Sequence, residues 1–136
     1  MTNIFIHQGS DKISSINEIK NPEAPAFKPE GGLWLTPEGG KTFYDYLDLE
    51  APEESLTMDV SDKNILVVDI MGYINLLSDF REYVSYFGKE LVRIDWEKVA
   101  QKYDGIFFTE EGLAAASASE NSPITGVDFP SLLLFR

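Results

Sequence analysis

The residues best suited to chemistry are few, and they come in order along the chain. His7 is the only imidazole; it ends the apolar run Ile4, Phe5, Ile6 and is followed by Gly9 and Ser10. Trp34 lies in a short apolar segment, Leu33-Trp34-Leu35-Thr36, bracketed by two Pro-Glu-Gly-Gly turns, and Thr42, Phe43, Tyr44 and Tyr46 come next. Asp128 and Ser131 stand just before Leu132-Leu133-Leu134-Phe135 at the far end. A short strand with glycine on both flanks lets another backbone, or a flat ligand, approach closely, and aromatics that follow can close over what binds. The plainer alternative makes Trp34 and Phe43 core residues, the glycines turn punctuation, and His7 a strand-end histidine satisfied by nearby backbone.

Other chemistries fit poorly. With no cysteine there are no disulfides, no thiolate nucleophile and no zinc-thiolate site. One histidine excludes a multi-histidine metal centre, and the scattered carboxylates lack the order of a calcium loop. Gly40-Lys41-Thr42 has the ending of a phosphate loop, but Leu35 stands where its first glycine belongs. Ser131 and His7 without a third member do not make a hydrolase triad. The pairs Glu53-Glu54 and Glu110-Glu111 are expected to be solvated.

The elements that must position these residues follow from periodicity. Residues 3–7 read as a buried first strand, residues 14–19 as one helical turn capped by a serine, and 21–32, with its prolines and Gly-Gly pair, as loop. Strands are expected at 33–36, 55–60, 64–70, 106–108 and 132–135, the last in the middle or at the edge of a sheet. Short helices are expected at 40–49, 96–103 and 112–118, with Asp95 capping the second of these. Ile74, Leu77, Val84 and Phe87 follow helical spacing, and Gly88 is a natural stop, so the longest helix is predicted over 74–87. Strands at both ends with helices between them suit an α+β fold.

The totals set further bounds. At 136 residues and 43% hydrophobic content the chain has the size and composition of one folded domain. No apolar run approaches the roughly 20 residues of a membrane helix, and no basic-then-hydrophobic leader opens the chain, so no membrane association and a cytoplasmic placement are expected. The net charge is −12, from 23 acidic and 11 basic side chains. That opposes direct binding to a nucleic-acid backbone and suits solubility or docking on a basic protein partner.

The order IHQGS, GLWLT with an aromatic helix after it, and a polar approach to the last strand resembles the ADP-ribosyltransferase superfamily, in its branch with a histidine in the first motif and an aromatic in the second. KYDGIFF, at 102–108, is similar to the strand opening that precedes the last motif of toxin-like members. The resemblance implies a single compact domain over 1–136, built of two packed, mostly antiparallel sheets with flanking short helices. It implies NAD as substrate, held by His7, Gly9, Ser10, Trp34, Thr36, Thr42 and Tyr44 or Tyr46. In that scheme His7 meets the diol of the adenosine-side ribose, because a neutral imidazole both donates and accepts; Gly9 meets the carboxamide, and a tyrosine ring stacks on nicotinamide. Cleavage of the glycosidic bond builds positive charge on the ribose and calls for a nearby carboxylate. Members that transfer ADP-ribose carry glutamate where this chain has Ser131, so Asp128 is the nearest replacement, with Glu110 or Glu111 as alternatives.

Three functions are therefore expected in competition. The first is an NAD-using transferase or glycohydrolase of the toxin or phage-effector kind, acting on a macromolecular target. The second is a non-enzymatic nucleotide binder on the same scaffold. The third is an acidic inhibitor docking on a basic nucleic-acid-binding enzyme.

Overall fold

A computed structural model of the chain describes residues 3–9, 15–24, 27–119 and 122–136. Within them the elements run β1 (Ile4–Gln8), β2 (Leu33–Pro37), α1 (Phe43–Tyr46), β3 (Ser55–Asp59), β4 (Ile65–Val68), α2 (Ile70–Phe80), β5 (Arg81–Tyr86), β6 (Lys89–Ile94), α3 (Trp96–Lys102), β7 (Gly105–Phe108), α4 (Glu110–Ala118) and β8 (Ser131–Leu134). The class is α+β, as the order of elements predicts. Instead of two packed sheets, six strands form one mixed sheet in the order β3-β1-β2-β8-β7-β4, while β5 and β6 form a separate hairpin. Only β4 and β7 run parallel; the other neighbours in the sheet are antiparallel.

The last apolar run is the middle of this sheet. Side chains alternate across a strand, so a strand that is apolar at almost every position needs cover on both faces. All of β8 is buried. Leu133 joins Val68, Leu76, Ile94, Trp96, Val99, Ile106 and Phe108 on one side. Leu132 and Leu134 join Phe5, Leu35 and Val60 on the other. One sheet thus carries a core on each face.

β2 changes partner along its length. Leu33, Trp34 and Leu35 pair with Leu134, Leu133 and Leu132 of β8, whereas Thr36 and Pro37 pair with Ile6 and Phe5 of β1. Past Ile6 the β1–β2 ladder stops. His7 continues the pairing with β3 only, opposite Leu56.

The glycines before β2 serve the chain's own backbone. A Cβ on Gly31 would come within 2.2 Å of the Glu18 carbonyl oxygen, and one on Gly32 within 2.9 Å of the Leu134 carbonyl oxygen. The loop ahead of them is anchored too. The Asn21 side chain accepts from the Trp96 amide at 2.7 Å and donates to Asp95 at 3.1 Å, while the Trp96 indole N–H donates to the Phe27 carbonyl at 3.3 Å. The described part of the expected turn at 14–19 is irregular.

The predicted helix over 74–87 is wrong in its second half. The helix starts four residues earlier, capped by Asp69, and ends at Phe80. Glu82, Val84 and Tyr86 then alternate as a strand, and residues 89–94, for which no element is expected, return beside them. Phe87 and Gly88 both take left-handed φ values, 50° and 76°, as a two-residue hairpin turn requires. Tyr83 opposite Val92 and Val84 opposite Leu91 supply cross-strand contacts that a helix pattern does not register. Gly72 lies inside α2 against the end of β4.

Two stability outcomes follow. A Cβ on Gly112 would fall 1.8 Å from the Val68 carbonyl oxygen, and one on Gly72 would fall 2.0 Å from that of Val67. Either glycine changed to alanine should lower the urea unfolding free energy by about 1–3 kcal/mol, the usual cost of overpacking; unchanged midpoints would refute the tight helix–strand contact. Asp104 accepts the Asn64 amide at 2.9 Å and the Arg136 guanidinium at 2.9 Å. The Asn64 hydrogen bond first, and Arg136 second, hold its carboxyl below the usual aspartate range. A depressed carboxylate contributes stability above its unfolded value and loses it as pH falls through the folded one. Unfolding midpoints should therefore drop from about pH 4 downward, with a shallower slope in Asp104→Asn.

Candidate functional site

A cavity of about 320 Å³ opens where β1 leaves β2 and where the chain approaches β8. That lies at the lower end of the roughly 300–1,000 Å³ typical of small-molecule sites. Its walls come from Ile6, His7 and Gln8, from Trp34 to Thr36, from Thr42 to Tyr44, from Gly126 to Phe129, and from Lys28 and Ser131. Segments far apart in sequence meet here because β2 is shared between β1 and β8, while α1 follows directly from its end.

His7 stands in the gap left by the interrupted ladder. Its Nδ1 lies 3.1 Å from the Trp34 carbonyl oxygen. A carbonyl can only accept, so Nδ1 carries the proton and donates. In the neutral ring Nε2 is then an acceptor and not a second donor. The strand-end histidine is thus satisfied by backbone on one side while its residue lines the cavity on the other.

Trp34 is half-buried. Its indole stacks on Phe108, with centroids 6.3 Å apart and planes 24° from parallel. The Lys28 ammonium lies 5.7 Å from its ring centroid. That distance permits a cation–π attraction. Among the described residues, Lys28 is the only lysine or arginine lining the cavity. Its stem runs past Gly126, where an added Cβ would lie 3.7 Å from Cδ. Tyr44 and Phe43 close another side, their rings edge to face at 5.7 Å.

The predicted site residues fare differently. His7, Trp34, Thr36, Thr42, Tyr44, Asp128 and Ser131 all line the cavity. Tyr46 does not; its ring tilts against Phe129, 5.6 Å away, so of the two tyrosines Tyr44 is the one in the wall. Gly9 lies beside the wall, since a Cβ there would come 3.9 Å from the Tyr44 hydroxyl. Its amide N–H already donates to the Glu54 carbonyl at 3.0 Å. Ser10 lies outside the described residues. The Thr42 hydroxyl is taken up in the capping box of α1, donating to Asp45 at 3.0 Å and accepting its amide at 3.2 Å. The Thr42 backbone amide also donates to Asp45, holding that carboxyl below its usual range.

The residues near the last strand separate by burial. Ser131 is 5% exposed and its hydroxyl donates to the Phe129 carbonyl at 3.1 Å. Asp128 is exposed and also lines the cavity. Glu110 and Glu111 sit in the first turn of α4 and do not line the cavity. Among the described residues, Asp128 is therefore the one carboxylate in the wall. Among the described residues no group of three or more histidines, cysteines, aspartates or glutamates is placed to hold a metal ion, and no helix is long and apolar enough to cross a membrane.

Lys28, Gln8, Val127 and Phe129 were not predicted as site residues. Lys28 could have been suspected as a cation six residues before Trp34 in an acidic chain. The others carry no local signal, because only the break in the ladder and the turn before β8 bring them to the wall. Comparison with protein-family models, curated proteins and solved structures finds no match to this chain.

Trp34 and Trp96 offer a direct check of this geometry, since Trp96 is buried at 1% exposure. Acrylamide should quench part of the wild-type tryptophan emission, and Trp34→Phe should remove most of the quenchable part. An unchanged quenchable fraction would place Trp34 away from the cavity.

Proposed function

We propose that this chain is an ADP-ribosyltransferase-like protein whose cavity binds NAD by its nicotinamide–ribose half. The observation that carries the reading is the meeting of His7, Trp34, Thr36, Tyr44, Asp128 and Ser131, from separate strands and loops, around one cavity. In this reading the rings of Trp34 and Tyr44 flank the nicotinamide, and His7 Nε2 accepts from a ribose hydroxyl. The Lys28 ammonium offsets the charge of the diphosphate. The Asp128 carboxylate faces the positive charge that grows on the ribose as its bond to the nicotinamide nitrogen breaks. The electron pair of that bond leaves with nicotinamide, and water or a nucleophile on a macromolecule takes its place on the ribose.

Ser131 favours a second reading, binding without turnover. It stands neutral and buried at the start of the last strand, where the chemistry would best use a charge, and its hydroxyl is already donated to Phe129. The two readings part at Asp128.

NAD should quench the emission of the wild type and of Asp128→Asn, but not that of Trp34→Phe. His7→Ala should weaken binding about tenfold, the loss of one hydrogen bond. With turnover, the wild type releases nicotinamide and Asp128→Asn slows the release about a hundredfold or more. NAD binding with no nicotinamide released selects the second reading; no response to NAD at any concentration removes both.

A further inference from the structure

We propose that residues 43–54 form a docking ledge for a basic, partly apolar segment of a partner protein, an inference that rests on the nucleotide site above for what the docking would serve. The ledge begins in the cavity wall, since Phe43 and Tyr44 line it. Its far end comes back beside that wall, because the Glu54 carbonyl accepts the amide of Gly9, the neighbour of the Tyr44 hydroxyl, at 3.0 Å. A partner seated on it would lie against the cavity mouth.

α1 has no buried residue. A one-turn helix gains little stability by itself, and this one turns its apolar side chains outward. Phe43 and Leu47, four apart and so on one face, are about half exposed, as are Tyr46 and, beyond the helix end, Leu49, the most open at 57%. The helix ends with the Asp48 amide donating to the Asp45 carbonyl and the Leu49 amide donating to that of Tyr44. That is the Schellman arrangement, in which the last residue usually packs back on the helix. Here Leu49 faces solvent instead.

The charge pattern selects the occupant. Residues 43–54 contain Asp45, Asp48, Glu50, Glu53 and Glu54 and no lysine or arginine, and all five acids are exposed. Phosphates of a nucleic acid would be repelled. A protein segment that mixes lysine or arginine with leucine-like side chains meets both the acids and the apolar surface between them.

The test uses two dye-labelled peptides of equal length with the same leucines at helical spacing, one filled with lysine and the other with glutamate, read by fluorescence anisotropy. The lysine peptide should bind the wild type and weaken with added salt. Leu47→Ser with Leu49→Ser should weaken it about tenfold, as should Glu50→Lys with Glu53→Lys. Ile70→Ser with Met71→Ser, an exposed apolar pair on α2, should leave it unchanged. Equal binding of both peptides, or equal losses from the ledge and α2 variants, overturns the proposal. NAD quenching of Trp34 emission should persist in Leu47→Ser with Leu49→Ser. NAD without effect while peptide binding depends on the ledge overturns the nucleotide reading alone. NAD binding with ledge-independent peptide binding overturns this inference alone.

Discussion

Burial of β8 on both faces is the constraint from which the rest of the structure follows. Leu132, Leu133 and Leu134 are fully enclosed, and a backbone enclosed with them must find its hydrogen bonds inside the protein. β2 and β7 provide them from either side. Glycine at 31 and 32 lets the chain pass close enough to enter β2. Because β2 gives its first residues to β8 and its last to β1, the sheet cannot stay continuous at every level. The cavity is the place where it does not.

The electrostatics of that cavity depart from those of the chain around it. In a protein of net charge −12, the described residues of the wall present one ammonium, one carboxylate and one imidazole, with aromatic rings and hydroxyls between them. Lys28 is there because Asn21 and Trp96 tie its loop to the start of α3. A second tie, the Arg136 guanidinium donating to the Ala100 and Tyr103 carbonyls, closes the C-terminal end of the same helix. α3 therefore links the loop that carries Lys28 to the residues that follow β8.

Much of the fold was legible along the chain, and the largest error has a simple cause. Continuous apolar runs at 65–68 and 132–134 and the Asp95 cap all mark elements that exist. Residues 81–87 satisfy both a helical and an alternating pattern, and the choice between them depends on residues 89–94 as pairing partners. Gly72 likewise looks like a break until Val67 is placed against it, after which only glycine fits. In both places the deciding contact is with residues outside any local window.

The site divides in the same way. The sequence by itself determined the groups available to a site: one imidazole, no thiol, a tryptophan between paired glycine turns, tyrosines after it, and a serine ahead of the last apolar run. It also determined the apolar runs that had to be buried. Only the tertiary structure decided that His7 spends its proton on the Trp34 carbonyl, that Tyr44 and not Tyr46 enters the wall, that the Gly9 amide is already bonded, and that Lys28 joins the cavity. Residue type sets what a group can donate, accept or stack upon. Which of those capacities is left over depends on neighbours that the packing of the sheet selects.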